Sequence, residues 1–136
     1  AAELDGRVTI DDAGLGKMAS TKKSYIGSAM RKRGVLSADD REILVGFFPI
    51  NEKETFNAGT IVCEKNQIEG QGVGRITSVT HSPELGHWIG IGFVKGGLEK
   101  WKDITLVGAD PVRDKQTEIK VVSPHMIDPE GKRMYA

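Results

Sequence analysis

Only one cysteine, Cys63, is present, so no internal disulfide can form. Long apolar stretches are missing too: no run approaches the roughly 20 residues of a membrane-spanning helix. Charge of one sign is not in excess, because 19 basic residues balance 19 acidic ones. That balance removes the broad attraction on which a nucleic-acid or acidic-membrane binder relies, so any ligand must be held by local chemistry. Histidines are few. His81, His87 and His125 are scattered, with no i, i+4 pair and no neighbouring Cys and carboxylate spacing of a metal site. Strands do not alternate with helical segments, which disfavours a doubly wound nucleotide-binding fold. Repeats and low-complexity tracts are also absent. A soluble, cytoplasmic setting with neither nucleic acid nor membrane as partner fits these absences. The first residue is Ala1, and no basic and apolar leader precedes Leu4, so a processed product, an excised domain or a fragment is expected.

What is present is enough for one domain, since a chain of this size buries about 68–70% of its unfolded surface. Residues 1–23 are polar and punctuated by glycine, with Asp5-Gly6 and the acidic pair Asp11-Asp12, and read as an ordered connection. From Ser24 to Arg33, Tyr25, Ile26, Ala29, Met30 and Arg33 fall at helical offsets. Ser24 is placed to cap that segment and Gly34 to stop it, which predicts one short amphipathic helix. Apolar runs then dominate: Ile43 to Pro49, Thr60 to Cys63, Val73 to Val79, Trp88 to Val94, Ile104 to Val107 and Glu118 to Val122. Short runs separated by Gly, Asn or Pro predict strands, and six of them predict a mainly β chain built as a small antiparallel barrel.

Residues with chemical potential have ordinary explanations. Glu69-Gly70-Gln71-Gly72-Val73-Gly74-Arg75 lacks the dinucleotide-binding spacing and no helical pattern follows it, so a tight hairpin or bulge is expected. Cys63 sits in a strand run, where a free cysteine is usually a buried small apolar residue. Ser78 and Ser82 lack a nucleophile-elbow context. No catalytic residue and no metal ligand is assigned. Lys17, Lys22, Lys23, Arg31, Lys32 and Arg33 form a basic region, read first as a solvated face. The alternative is that one or two of these cations hold an anionic ligand through charge-assisted hydrogen bonds.

The stretch Gly74-Arg75-Ile76-Thr77-Ser78, followed by Ser82-Pro83-Glu84-Leu85 and a glycine-rich strand ending in Phe93-Val94, resembles a family signature. The family is that of the folate-dependent aminomethyltransferases, typified by the glycine-cleavage T-protein, and the part resembled is its C-terminal barrel. Three earlier segments fall in the same order. Glu3-Leu4-Asp5 through Thr9 to Gly14-Leu15 is similar to the family's E-x-D-x-x-x-T-P-x-x-x-G-L, with Ile10 in place of proline. Tyr25-Ile26-Gly27-Ser28-Ala29-Met30 and Arg41-Glu42-Ile43-Leu44-Val45-Gly46-Phe47 resemble its Phe-Ile-Gly helix start and its barrel-opening strand. The tail, Ser123-Pro124-His125-Met126-Ile127-Asp128-Pro129-Glu130-Gly131-Lys132-Arg133, is similar to the ending of heterotetrameric sarcosine oxidase alpha subunits.

The resemblance implies a parent enzyme that demethylates sarcosine oxidatively to glycine and passes the one-carbon unit to tetrahydrofolate. It implies FAD, FMN and NAD elsewhere in the parent complex, and as partners the remaining alpha-subunit domains and the other subunits. Residues 1–36 would then be a connecting segment left from a preceding folate-binding domain, and 37–136 the barrel. The implied folate contacts are Lys23, with Lys22 as the alternative register, and the segment from His125 to Arg133. Sequence alone also leaves open a T-protein, a dimethylglycine oxidase and a free-standing interaction module.

Overall fold

The computed structural model describes residues 2–135, and its frame is a closed antiparallel barrel of six strands. These are β1 (Glu42–Pro49), β2 (Ile61–Glu64), β3 (Gly74–His81), β4 (Trp88–Lys95), β5 (Thr105–Asp110) and β6 (Lys115–Val122). Around the barrel the order is β1-β4-β3-β2-β5-β6, and β6 pairs back onto β1 from Gly46↔Val122 to Pro49↔Ile119. Each of the six apolar runs becomes one strand.

The period-two pattern explains the closure. In β6, Thr117, Ile119 and Val121 are buried while Gln116, Glu118 and Lys120 face solvent. Of the inward set, Ile119 and Val121 join Val45, Phe47, Phe56, Val62, Ile76, Val94, Trp101 and Leu106 in one core. Burying each such large side chain contributes about 1.5–3 kcal/mol, so register errors that turn this face outward are strongly opposed.

Strand β4 departs from plain alternation because two of its positions must be small. Phe56, carried by the β1–β2 connection, fills the interior over Gly90, where a Cβ would lie 2.6 Å from its ring. At Gly92 a Cβ would meet the Arg75 carbonyl oxygen and lie 2.8 Å from Ile76 Cα. Gly74, on β3, is similarly tight: its Cβ would lie 2.9 Å from Val94 Cα. The β3–β4 register shifts between Ile76 and Ser78, and at the bulge Thr77 Oγ1 donates to the Ile91 carbonyl at 3.0 Å. The glycine-rich run thus forms the β2–β3 connection and enters β3, with the bulge a few residues beyond it.

The expected helix from Ser24 to Arg33 shrinks to one turn, α1 (Ser28–Arg31). Its N-cap is Gly27 at φ 91°, and Ser24 makes no capping bond; its hydroxyl meets that of Ser28 at 3.4 Å. A left-handed residue inside the expected span ends one conformation and starts another. The would-be apolar face also finds no core, since Ile26 is fully exposed. A short helix without packing lacks its main source of stability. A second helix, α2 (Gly97–Trp101), was not legible in the sequence. It starts from the left-handed pair Gly96 and Gly97, and its buried Trp101 donates Nε1–H to the Lys95 carbonyl at 2.6 Å.

Candidate functional site

The polar groups with the most elaborate geometry lie where the N-terminal segment meets the barrel. Asp12 is buried in a turn that its own side chain closes, accepting the Thr9 amide at 2.8 Å while Thr9 Oγ1 accepts the Asp12 amide at 3.2 Å. Arg41, just before β1, grips the carboxylate with two nitrogens, Nε at 2.8 Å from Oδ1 and Nη2 on Oδ2. The Asp12 carbonyl accepts the Leu44 amide at 2.7 Å, so main chain and side chain both tie the segment to β1. Burial pushes the Asp12 carboxyl up, but the Arg41 guanidinium and the Thr9 bonds outweigh it and hold the group below the ordinary carboxylate range.

Beside this pair is a cleft of about 220 Å³ lined by Arg7, Asp12, Arg41, Glu42, Arg75 and Phe93, among others. Its cations are all neutralised: Arg7 by Asp5, Arg41 by Asp12, and Arg75 by Glu42, with the Arg75 guanidinium also 5.1 Å from the Phe93 ring centroid. Such an arrangement fastens two pieces of chain and leaves no spare charge for an anion. The sequence had shown Asp12 only as half of an acidic pair and Arg41 only as a motif residue. Their 29-residue separation hides the contact from any local pattern.

The residues singled out as ligand contacts stand apart from the seam. Lys22 and Lys23 are exposed in a turn whose amides both point to Ser20 Oγ, at 3.2 and 2.9 Å. Neither ammonium forms an ion pair among the described residues. His125 is exposed on the tail after β6, its amide bonded to Ser123 Oγ at 3.2 Å. Arg133 is paired with Glu84 at 2.6 Å, which holds the Glu84 carboxyl below its ordinary range. The tail therefore reaches the β3–β4 turn. No hydrogen bond or ion pair among the described residues joins Lys22 or Lys23 to His125 or Arg133.

That turn contains the Ser82-Pro83-Glu84-Leu85 signature, and its serine is architectural. Ser82 is buried, its Oγ accepts the Leu85 amide at 3.2 Å, and its backbone pairs with His87 and Gly86. Ser82→Ala should lower stability by about 1 kcal/mol, read as an earlier urea midpoint with an unchanged slope. Cys63 is likewise buried, and desolvation raises its thiol pKa, which opposes use as a nucleophile. Among the described residues no three His, Cys, Asp or Glu side chains converge as a metal site. No described helix is long and apolar enough to cross a membrane.

Residues 43–128, which hold all but the first residue of the six strands, match the glycine cleavage T-protein C-terminal barrel domain. The chain belongs to that family. Over 137 aligned residues, 98% of this chain, it is 30% identical to sarcosine oxidase subunit alpha of Rhizobium meliloti (strain 1021). It is 27% identical over 135 residues, 96% of the chain, to the subunit alpha of Corynebacterium sp. (strain U-96). The chain spans 14% of the length of either relative. The crystal structure of glycine cleavage system aminomethyltransferase T from Bartonella henselae superposes with a TM-score of 0.72 at 19% identity, covering 93% of this chain and 34% of that one. The barrel is thus common to relatives of different enzymatic description, and the resemblance drawn from the Gly74 to Val94 signature holds for fold and family.

Proposed function

We propose that this T-protein-type barrel is the C-terminal part of a sarcosine oxidase alpha subunit, with residues 1–36 left from a preceding folate-binding domain and 37–136 forming the barrel. The observation that carries the proposal is the alignment of 98% of the chain, N-terminal segment included, with a sarcosine oxidase subunit alpha. The family match alone fits a T-protein equally well, and that is the second reading. In the first, the parent demethylates sarcosine oxidatively to glycine in the cytoplasm, with FAD, FMN and NAD bound elsewhere in its multi-subunit complex.

Tetrahydrofolate, when bound, would supply the nitrogen nucleophile that captures the one-carbon unit. The chain's own residues would position it and keep water out. Lys22 and Lys23 suit a folate carboxylate, being exposed ammonium groups without an ion-pair partner among the described residues. Lys23 offers a point charge rather than the bidentate fork of an arginine. His125 lies on the exposed tail as a second contact, while Arg133 would have to give up Glu84 before taking an anion. The barrel would close one side of the cavity and so protect a reactive carbon from hydrolysis.

Lys23→Ala in the complete enzyme tests the assignment. Loss of one charge-assisted bond should weaken tetrahydrofolate binding roughly ten- to a hundredfold. Sarcosine oxidation should continue, with more of the one-carbon unit released as formaldehyde. Unchanged folate affinity and an unchanged product ratio would mean that Lys23 belongs to a solvated face.

A further inference from the structure

The tail that follows β6 doubles back across the outside of the barrel. Val45 and Phe47 of β1 point into the core, so Gly46 between them faces outward, yet it is buried. Its cover is the tail: a Cβ on Gly46 would lie 2.5 Å from Met126 Cε and 2.7 Å from the Ser123 carbonyl oxygen. Only glycine leaves the methionine that seat. Beyond it, Asp128 reverses the chain at φ 48° and accepts the Lys132 and Arg133 amides at 2.9 and 3.0 Å. Arg133 then reaches Glu84 in the β3–β4 turn, so the tail runs as a strap from β6 over β1 to the signature turn. Its fastenings are unequal. The Arg133 and Glu84 side chains are 64% and 49% exposed, and an exposed ion pair contributes little on its own. The Asp128 bonds lie within the tail and do not fasten it to the barrel. Attachment therefore depends chiefly on the half-buried Met126 side chain.

We propose that Met126 is a redox latch: oxidation of its thioether to the sulfoxide by a peroxide lifts it off Gly46 and frees the C-terminal tail from the barrel. The sulfur takes one oxygen atom from hydrogen peroxide. An S–O bond forms, the O–O bond breaks, the sulfur gives up two electrons, and the second oxygen leaves as water. The product is polar and chiral where the thioether was apolar, so it no longer suits a dry seat against the strand. Release strips Arg133 from Glu84 and uncovers the outer wall of β1. The change is reversible, because methionine sulfoxide reductases restore the thioether. The source of the oxidant rests on the functional reading above, since an oxidase that passes two substrate electrons to dioxygen releases peroxide within the same protein. The latch itself needs only the peroxide.

Trypsin reports the state of the tail, since Arg133 can enter the protease only after leaving Glu84. The protein expressed from its complete reading frame is used, with Met134→Leu so that oxidation beside the cut cannot interfere. After brief treatment with hydrogen peroxide, and mass spectrometry to locate the Met126 sulfoxide, cleavage after Arg133 should be at least tenfold faster. Met126→Leu keeps the apolar contact and should abolish the response, while Met126→Gln, polar and unbranched, should be cut fast without peroxide. Gly46→Ala, which crowds the seat, should also be cut fast. Methionine sulfoxide reductase should return the oxidised protein to slow cleavage. Failure of Met126 to oxidise in the folded protein, or equal cleavage before and after its oxidation, would overturn the proposal. So would the same acceleration in Met126→Leu, which places the effect at another methionine. Sarcosine in air, with no added peroxide, tests the source. No turnover with an intact response to added peroxide refutes only the enzymatic reading, and turnover without that response refutes only the latch.

Discussion

Arg41→Ala is expected to destabilise the chain by about 3–5 kcal/mol, the cost of leaving a buried carboxylate without its cation. The Asp12 side chain is 4% exposed and that of Arg41 20%, so water does little to replace the lost guanidinium. Only the Thr9 amide would still donate to the Asp12 carboxylate. The measurement is the urea midpoint at neutral pH, and a midpoint equal to the parent's would refute the assignment. Acid provides an independent check. The folded carboxyl is held below its ordinary value, so its contribution is fully present above the unfolded pKa of about 3.9 and is lost as pH falls below that, through the folded value. Arg41→Ala should therefore flatten this part of the acid-unfolding curve. Arg41→Lys keeps the charge but not the two-nitrogen grip, and should fall between the two.

Gly92→Ala is expected to cost about 3 kcal/mol or more, although alanine is small and buried. The added methyl would meet backbone: the Arg75 carbonyl oxygen, and Ile76 Cα at 2.8 Å. Backbone beside a bulge cannot rotate out of the way as a flexible side chain can, so β3 and β4 must separate. Gly6→Ala is the contrasting substitution, because a Cβ there meets nothing within 4 Å. Thermal unfolding of the pair should show a drop on the order of 10 °C for Gly92→Ala and little change for Gly6→Ala. Equal melting temperatures would show that the strands can shift apart freely.

The strands were legible because their information is local. Alternating burial in β6 and short apolar runs bounded by turn residues are visible without knowledge of what packs inside. The extent of the first helix was misread for the opposite reason. Tyr25, Ile26, Ala29 and Met30 have helical spacing, yet the left-handed Gly27 and the lack of a core beneath Ile26 leave one turn. Helix α2 is five residues long and begins at Gly97 behind a second glycine, Gly96, a pair that in sequence looks like a loop. At the seam, Arg41 and Asp12 were each visible but not as a pair, since nothing local connects a turn to a residue at the mouth of a strand 29 positions away. The contacts implied for Lys22, Lys23, His125 and Arg133 came from family resemblance, and the chain's internal bonding does not unite them.

A closed sheet has a colloidal consequence. Because β6 returns to β1, the ring has no terminal strand, and the stretch of β3 that β2 leaves uncovered, Ser78 to His81, is only four residues long. When this chain is handled apart from other polypeptide, its association should proceed by contact of side chains on an intact fold rather than by strand exchange. Clumping of that kind is reversible on dilution and does not seed cross-β fibrils.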